Sequence, residues 1–528
     1  MVVVDGGKAS EIQVAGRITP KQQTGWTLEG TSGNLTVEVN ELDLESLGPI
    51  FALVGVEVQA KGLIGGHVKS EIKDGRFENL SASIKGKNLN ITSAELKGDR
   101  LQTSSLDVSV RLNREKETIN IDDLQIRSDW AFVTASGVVP TTFKSFGDFF
   151  QADSNYNLKG NFNCDLAAVF LQMPKTLGLK EGTQITSGQL NGNVETSTRA
   201  GQRQIQAQGT LTGLEGTVKG KKIALSEPVR AQAQISSDKA GINFDKLDVS
   251  APFAKINCTG TSELLKYNAD VDLAKLQSEL GQFINIGQYQ MAGELLEKGQ
   301  ISIKEKKVTI SGASVVKNLR FSSKEGVTAS EPMANVAYAF DIDTENSTIT
   351  VDSIKADASF GRVSIKDAVL PWSKSSPEPL HLAISANNVD LRKLQPFAVL
   401  FASFPQQMQL AGIADSDIYV SAEKDFYRIT TTSTKIENLK FSYPGQEPFE
   451  SNEVTLVFEA EVNPEQKTIN VKKLQLESPQ IRIEKGEFKQ INKAGKTKLE
   501  GLIDCEYDWS ALSTVTGPFL PQGLKLRE

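Results

Sequence analysis

The chain of 528 residues holds little from which a reactive centre could be assembled. It has two histidines, His67 and His381, at unlike positions, so a Ser-His-Asp relay or a histidine metal site lacks material. The three cysteines, Cys164, Cys258 and Cys505, lie far apart with no CxxC spacing, which argues against both a disulfide framework and a zinc site. The stretch AGKT at 494–497 resembles the end of a phosphate-binding loop. The glycine that loop needs five positions before Gly495 is replaced by Gln490, and the stretch lies between strands; it reads as a hairpin turn. Asp122-Asp123 and the Asp341/Asp343 pair read as solvated turns or strand faces. Asp43, Asp165, Asp272, Asp390 and Asp508 recur, but each stands without a partner acid at fixed spacing. Their type and place suit a different task, that of capping the orphan N–H groups of a short helix. No enzymatic activity, cofactor or metal is expected.

Those aspartates belong to a repeat. Each ends an alternating run and opens the pattern D-[LW]-x-x-[LV], as in VNELDLESL, NFNCDLAAV, NADVDLAKL, ANNVDLRKL and DCEYDWSAL. Three further markers keep phase with it. A glycine opens a strand at Gly62, Gly188, Gly293 and Gly412. An [NG]-L pair follows at NLNI, GLEGTV, NLRF and NLKF. Then come ETINIDDLQIRS, AGINFDKLDVSA, STITVDSIKADA and KTINVKKLQLES. Four markers in constant order define repeats over 43–164, 165–271, 272–389 and 390–507, with partial units at 1–42 and 508–528. The partial ends suggest a fragment of a longer protein, because a natural array closes in atypical capping units.

Within a unit, alternation at period two predicts five or six strands, broken by turns such as Asp74-Gly75 and Asn463-Pro464. The alternation slips once per unit. Ile119 and Ile121 share one parity, and Leu124 and Ile126 the other. The same slip separates Ile242/Phe244 from Leu247/Val249, Ile349/Val351 from Ile354, and Ile469/Val471 from Leu474/Leu476. A bulge or turn at the intervening polar pair would return both sets to one face. The expectation is an antiparallel sheet with one continuous apolar face, one polar face and one short helix per repeat.

A bare apolar face is unstable in water. The sheet must close as a barrel, fold as a sandwich, wind into a narrow solenoid, or curl into an open trough that holds apolar ligand. No Pro/Ser linker separates the units, which favours continuous stacking. The net charge of −7 argues against nucleic acid as a partner. No apolar run reaches the length of a membrane span, and MVVVDGGKAS lacks the basic segment of a signal peptide.

Strands ending in D-L-x-x-L, then a glycine-led strand, then N-L-x-[FI], then T-I-[NT]-[IV]-x-x-[IL], resemble the AsmA-like proteins of bacterial envelopes. These belong to the repeating-β-groove, bridge-like lipid-transfer proteins that include TamB-like chains. The resemblance covers essentially the whole chain and is one of pattern and period. It implies a mainly β fold: a long, twisted, repetitive antiparallel sheet curled into an open, taco-like groove lined by apolar side chains. It further implies inner-membrane anchorage through an N-terminal helix, extension into the periplasm, and transfer of glycerophospholipid that maintains the outer membrane. Expected partners are phospholipid acyl chains, and the two membranes or their proteins through parts outside this sequence. The slipped stripes, from Ile119 to Leu476, would line that groove. This sequence departs from the family in lacking the N-terminal helix, which leaves anchorage of this chain open. The rival reading is a structural or adhesive β-repeat with a closed core. A weaker third, an enzyme on polysaccharide, would need paired carboxylates in a cleft, and no such pair recurs.

Overall fold

The computed structural model describes residues 11–19, 30–48, 58–141, 156–199, 202–238 and 241–509, apart from 285, 288, 374–375, 377, 403, 423–425, 445–447 and 494–495. The partial unit 508–528 therefore lies outside the described residues beyond Trp509, as do Ala494 and Gly495 of AGKT. Two compact units emerge, Met1–Ser262 with Lys275–Ile286, and Glu263–Ala274 with Gly287–Glu528.

The first unit holds β1 Glu11–Thr19, β2 Ser32–Asp43, β3 Val58–Lys73, β4 Arg76–Ser93, β5 Leu101–Glu115, β6 Thr118–Ser128 and β7 Ala131–Pro140. It continues with β8 Asn157–Asp165, β9 Thr183–Arg199, β10 Gln202–Val218, β11 Lys221–Ala224, β12 Val229–Asp238, β13 Gly241–Ala251 and β14 Ala254–Thr261. Each strand pairs antiparallel with its neighbour in the chain. One strand of the order is split: β11 pairs with Glu215–Val218 of β10, and β12 with Arg203–Leu211 of the same edge. Pro228, which cannot donate to a ladder, sits in the break between them.

The second unit is built alike. It holds β15 Leu265–Asp272, β16 Gln290–Lys304, β17 Lys307–Ser322, β18 Thr328–Asp343, β19 Thr348–Ala358, β20 Gly361–Pro371 and β21 His381–Asp390. Then follow β22 Gln409–Ala422, β23 Tyr427–Ser442, β24 Phe449–Asn463, β25 Thr468–Glu477, β26 Ile481–Lys493 and β27 Lys496–Tyr507. Here too every pairing is antiparallel and in chain order. Among the described residues, no pairing joins the first strand of either unit to its last.

Helical segments are few and short. A 3-10 turn, Leu44–Leu47, follows Asp43, and α-helices Leu166–Gln172, Leu273–Glu279 and Leu391–Phe401 follow Asp165, Asp272 and Asp390. Two further 3-10 turns, Ala94–Leu96 and Leu280–Gln282, lie outside the aspartate pattern. None of these helices is long and apolar enough to cross a membrane.

Each unit holds a small cluster of packed apolar residues. In the first unit Ile185, Leu214, Ile223 and Phe283 are buried beneath Leu166, Ala167 and Phe170 of the helix that follows Asp165. In the second, Phe449 and Ile481 pack with Leu439, Phe441, Leu476 and Ile483. The Gln395 side chain ties helix Leu391–Phe401 to the start of β22: its amide donates to the Met408 carbonyl, just before the strand, at 2.5 Å and accepts from the Leu410 N–H at 2.8 Å.

Candidate functional site

Directly opposed residues of an antiparallel pair share a face, so the register sorts every side chain. In the first unit one row runs from Ala82 of β4 through Val110, Leu124, Ala135, Gly160, Val194, Ala207, Ala233 and Leu247 to Cys258 of β14. The next row runs Ile84, Val108, Ile126, Val133, Phe162, Gly192, Gly209, Ala231, Val249 and Ile256. Ile121 and Phe244 fall in a third row with Leu112 and Ile235, and Ile119 and Ile242 face the same way. The other face carries Arg111 paired with Asp123 at 3.4 Å, Asn113 bonded to Asp122 at 3.0 Å, and Lys246 paired with Asp248 at 2.9 Å.

The second unit repeats this separation. Val351 lies between Phe340 and Ala368, and Ile349 and Ile354 flank it in the neighbouring rows. Val471 lies between Ala460 and Phe488; Ile469 faces Val462, Leu474 faces Phe458, and Leu476 faces Leu456. Exposure along the face is uneven. Val351 and Val471 are buried at 2%, Val249 is exposed at 38%, and the other twelve stripe residues are half-buried. The three cysteines also fall on apolar rows, and burial raises the thiol pKa values of Cys164 and Cys258, with nearby Asp165 and Asp248 adding to it.

Two of the recurrent bulges coincide with sequence markers. The parity slip is the first. Between β5 and β6 the register passes from Arg111–Asp123 to Leu112–Ile121, so Asp122 is the extra residue. Asp245, Asp352 and Lys472 are skipped in the same way in β13, β19 and β25. The second bulge joins two sequence markers. Gly62 lies opposite Asn88-Leu89, Gly188 opposite Gly213-Leu214, Gly293 opposite Asn318-Leu319, and Gly412 opposite Asn438-Leu439. Asn88, Asn318 and Asn438 each have φ of 51°, the left-handed region that asparagine tolerates better than most residues. The glycine is required on the facing strand, because a Cβ on Gly62 would sit 2.6 Å from the Asn88 carbonyl oxygen.

The recurrent aspartates make local contacts. The Asp43 carboxylate accepts from the Glu45 N–H at 3.0 Å, Asp165 from Ala167 at 2.9 Å, and Asp390 from Arg392 and Lys393 at 3.0 and 3.4 Å. Asp272 stands at the same place before its helix. The N–H groups of Asp165, Asp390 and Asp508 donate to the carbonyls of Trp130, Phe360 and Gln480, which stand at corresponding turns. His67 and His381 are exposed on separate strands, and no group of three metal-binding side chains occurs among the described residues.

A carboxylate lies on the apolar face of the second unit, and the sequence reading passed over it. Glu297 of β16 opposes Ala269 on one side and Ser314 on the other. The Ser314 hydroxyl donates to its carboxylate at 2.7 Å, and the Tyr338 hydroxyl donates to the other carboxylate oxygen. Tyr267 and Tyr338 reach towards each other from β15 and β18, over Gly299 and Gly312 of the strands between, and their hydroxyl oxygens meet at 2.6 Å. A Cβ at either glycine would come within 2.6 Å of a tyrosine oxygen. Burial, then the bonds with Glu297 and Tyr267, holds the Tyr338 phenol well above its ordinary pKa. The signal was present in ELLEKGQISI: Glu297 occupies the phase of Leu295 and Ile301.

Compared with known proteins, the sequence matches no family model and no curated protein.

Proposed function

We propose that this chain binds phospholipid acyl chains along its apolar sheet face and conducts them between the inner and outer membranes of a bacterial envelope, without catalysis. The observation that carries this reading is the half-exposed apolar face, continuous across successive strands and opposed by a polar one. In the full reading the four repeats follow one another along the sheet, which curls into an open groove, and the stripes from Ile119 to Leu476 touch the acyl tails. Each CH₂ removed from water contributes roughly 0.8 kcal/mol, so a tail resting on the face is held at every position. A tail sliding from one row to the next keeps most of that contact, and the head group stays hydrated. The resemblance to AsmA-like proteins supports the periplasmic setting and the membrane partners.

The test is native mass spectrometry of the purified chain, followed by organic extraction of whatever co-purifies. Several phospholipids per chain are expected. Ile121→Asp together with Phe244→Asp, both on the face, should lower that number while circular dichroism stays that of the wild type. A lipid-free, monodisperse and stable chain would overturn the proposal in favour of a structural repeat with a closed core.

A further inference from the structure

We propose that Glu297, with Tyr267 and Tyr338, selects lipids whose head group carries an ammonium; this rests on the lipid-binding reading above. A carboxylate among apolar neighbours is costly unless something compensates it. Along its own strand Glu297 is flanked by Leu295 and Gly299, with Ile301 beyond; the adjoining strands offer Val316, Val336 and Ala269 on the same face, besides the Ser314 and Tyr338 hydroxyls that donate to the carboxylate. The position four residues after the marker glycine is Gly66, Gly192 and Ser416 in the other repeats, so the fold there tolerates an uncharged residue. The charge therefore breaks the local apolar pattern, and its hydrogen bonds hold it in place on the face, which is the mark of a functional position.

The surroundings name the ligand. Glu297 offers negative charge, and Tyr267 and Tyr338 present aromatic surface beside it, with the Phe340 ring 5.9 Å from that of Tyr338. Carboxylate and aromatic faces together are the environment that binds alkylammonium groups. A phosphoglycerol head group, which carries only negative charge, meets repulsion at the same place. Glu297, Tyr267 and Tyr338 are all half-buried rather than sealed, so an incoming ammonium can reach the carboxylate while the lipid phosphate stays in water. The tails then lie on Leu295 and Ile301 to either side.

The experiment offers the full chain an equimolar mixture of dioleoyl phosphatidylethanolamine and dioleoyl phosphatidylglycerol and reads bound lipid by native mass spectrometry. The wild type should take the ethanolamine lipid in about tenfold preference, the ratio expected for one charge-assisted contact. Glu297→Gln should bring the ratio to about one, and Glu297→Lys should invert it, with thermal unfolding confirming that each variant is folded. Tyr338→Phe leaves the carboxylate in place and should retain the preference. If Glu297→Gln keeps the wild-type ratio, or the wild type takes both lipids equally, the selection is overturned while lipid binding stands. If neither lipid binds, the lipid reading falls and the selection with it.

Discussion

At the scale of the residue, the repeat is written in backbone demands more than in side-chain chemistry. Asn88, Asn318 and Asn438 recur because each supplies the left-handed residue of a bulge, and Gly213 fills that place in the remaining repeat with φ of 60°. Substituting glycine at Asn438 should be close to neutral. Valine, whose branched Cβ is forced against the backbone at φ of 51°, should cost about 2 kcal/mol. Urea denaturation of the two variants checks this; equal midpoints would show that the backbone conformation does not hold the asparagine there. These positions were visible in the sequence as phased markers. Their pairing was not, because opposition of Gly412 and Asn438 is a fact of register, and spacing along one chain does not carry it. Glu297 was missed for a related reason. Its neighbours Glu294 and Lys298 make the strand look laced with charge, Leu295 and Leu296 occupy both parities, and the alignment with Ala269 and Ser314 decides that the phase it shares with Leu295 and Ile301 is the apolar one.

At the scale of the element, strands are tied by their turns. The Asp129 carboxylate, in the turn between β6 and β7, reaches β5. It accepts from the Ser104 N–H at 2.6 Å, the Ser105 N–H at 3.0 Å and the Thr103 hydroxyl at 2.7 Å. Burial opposes its ionisation, but the bonds from Ser104, Thr103 and Ser105 override that and hold its pKa far below the usual carboxylate value. The stabilisation is complete above the ordinary value of about 4 and is lost as pH falls through the lower folded value. Between about pH 5 and about pH 2 the wild type should therefore lose more stability than Asp129→Asn, as read from urea midpoints. Parallel losses would show that these bonds do not favour the charged form. In the third repeat the same tie runs the other way: Glu331 of β18 accepts from the Ser359 N–H at 3.0 Å and its hydroxyl at 2.9 Å, in the turn between β19 and β20. The sequence announced the aspartates that open helices, because their spacing is constant. It did not announce this tie, because the acid moves from the turn in the first repeat to the facing strand in the third while the contact is preserved.

At the scale of the whole molecule, each unit is made of strands that pair with their neighbours in the chain, and the split strand β11–β12 keeps that order. The alternation and its slips made this legible: a period of two gives strands, and the skipped Asp122, Asp245, Asp352 and Lys472 restore one apolar face. Neighbour-only pairing also dictates how a local defect spreads, since an array of this kind behaves as a sum of nearest-neighbour terms. Val471, 2% exposed between Ala460 and Phe488, is a suitable place to introduce one. Val471→Ala removes two buried methyl groups and should cost about 1–2 kcal/mol. Native-state hydrogen exchange should then show faster opening in β24, β25 and β26, while β16, β17 and β18 of the same unit keep their wild-type protection. Uniform loss of protection across the second unit would mean that it opens as one block. A sheet that opens locally can release one row of apolar contacts without disturbing the rows beside it. For a face proposed to pass acyl tails along its length, that locality lets a ligand move in small steps.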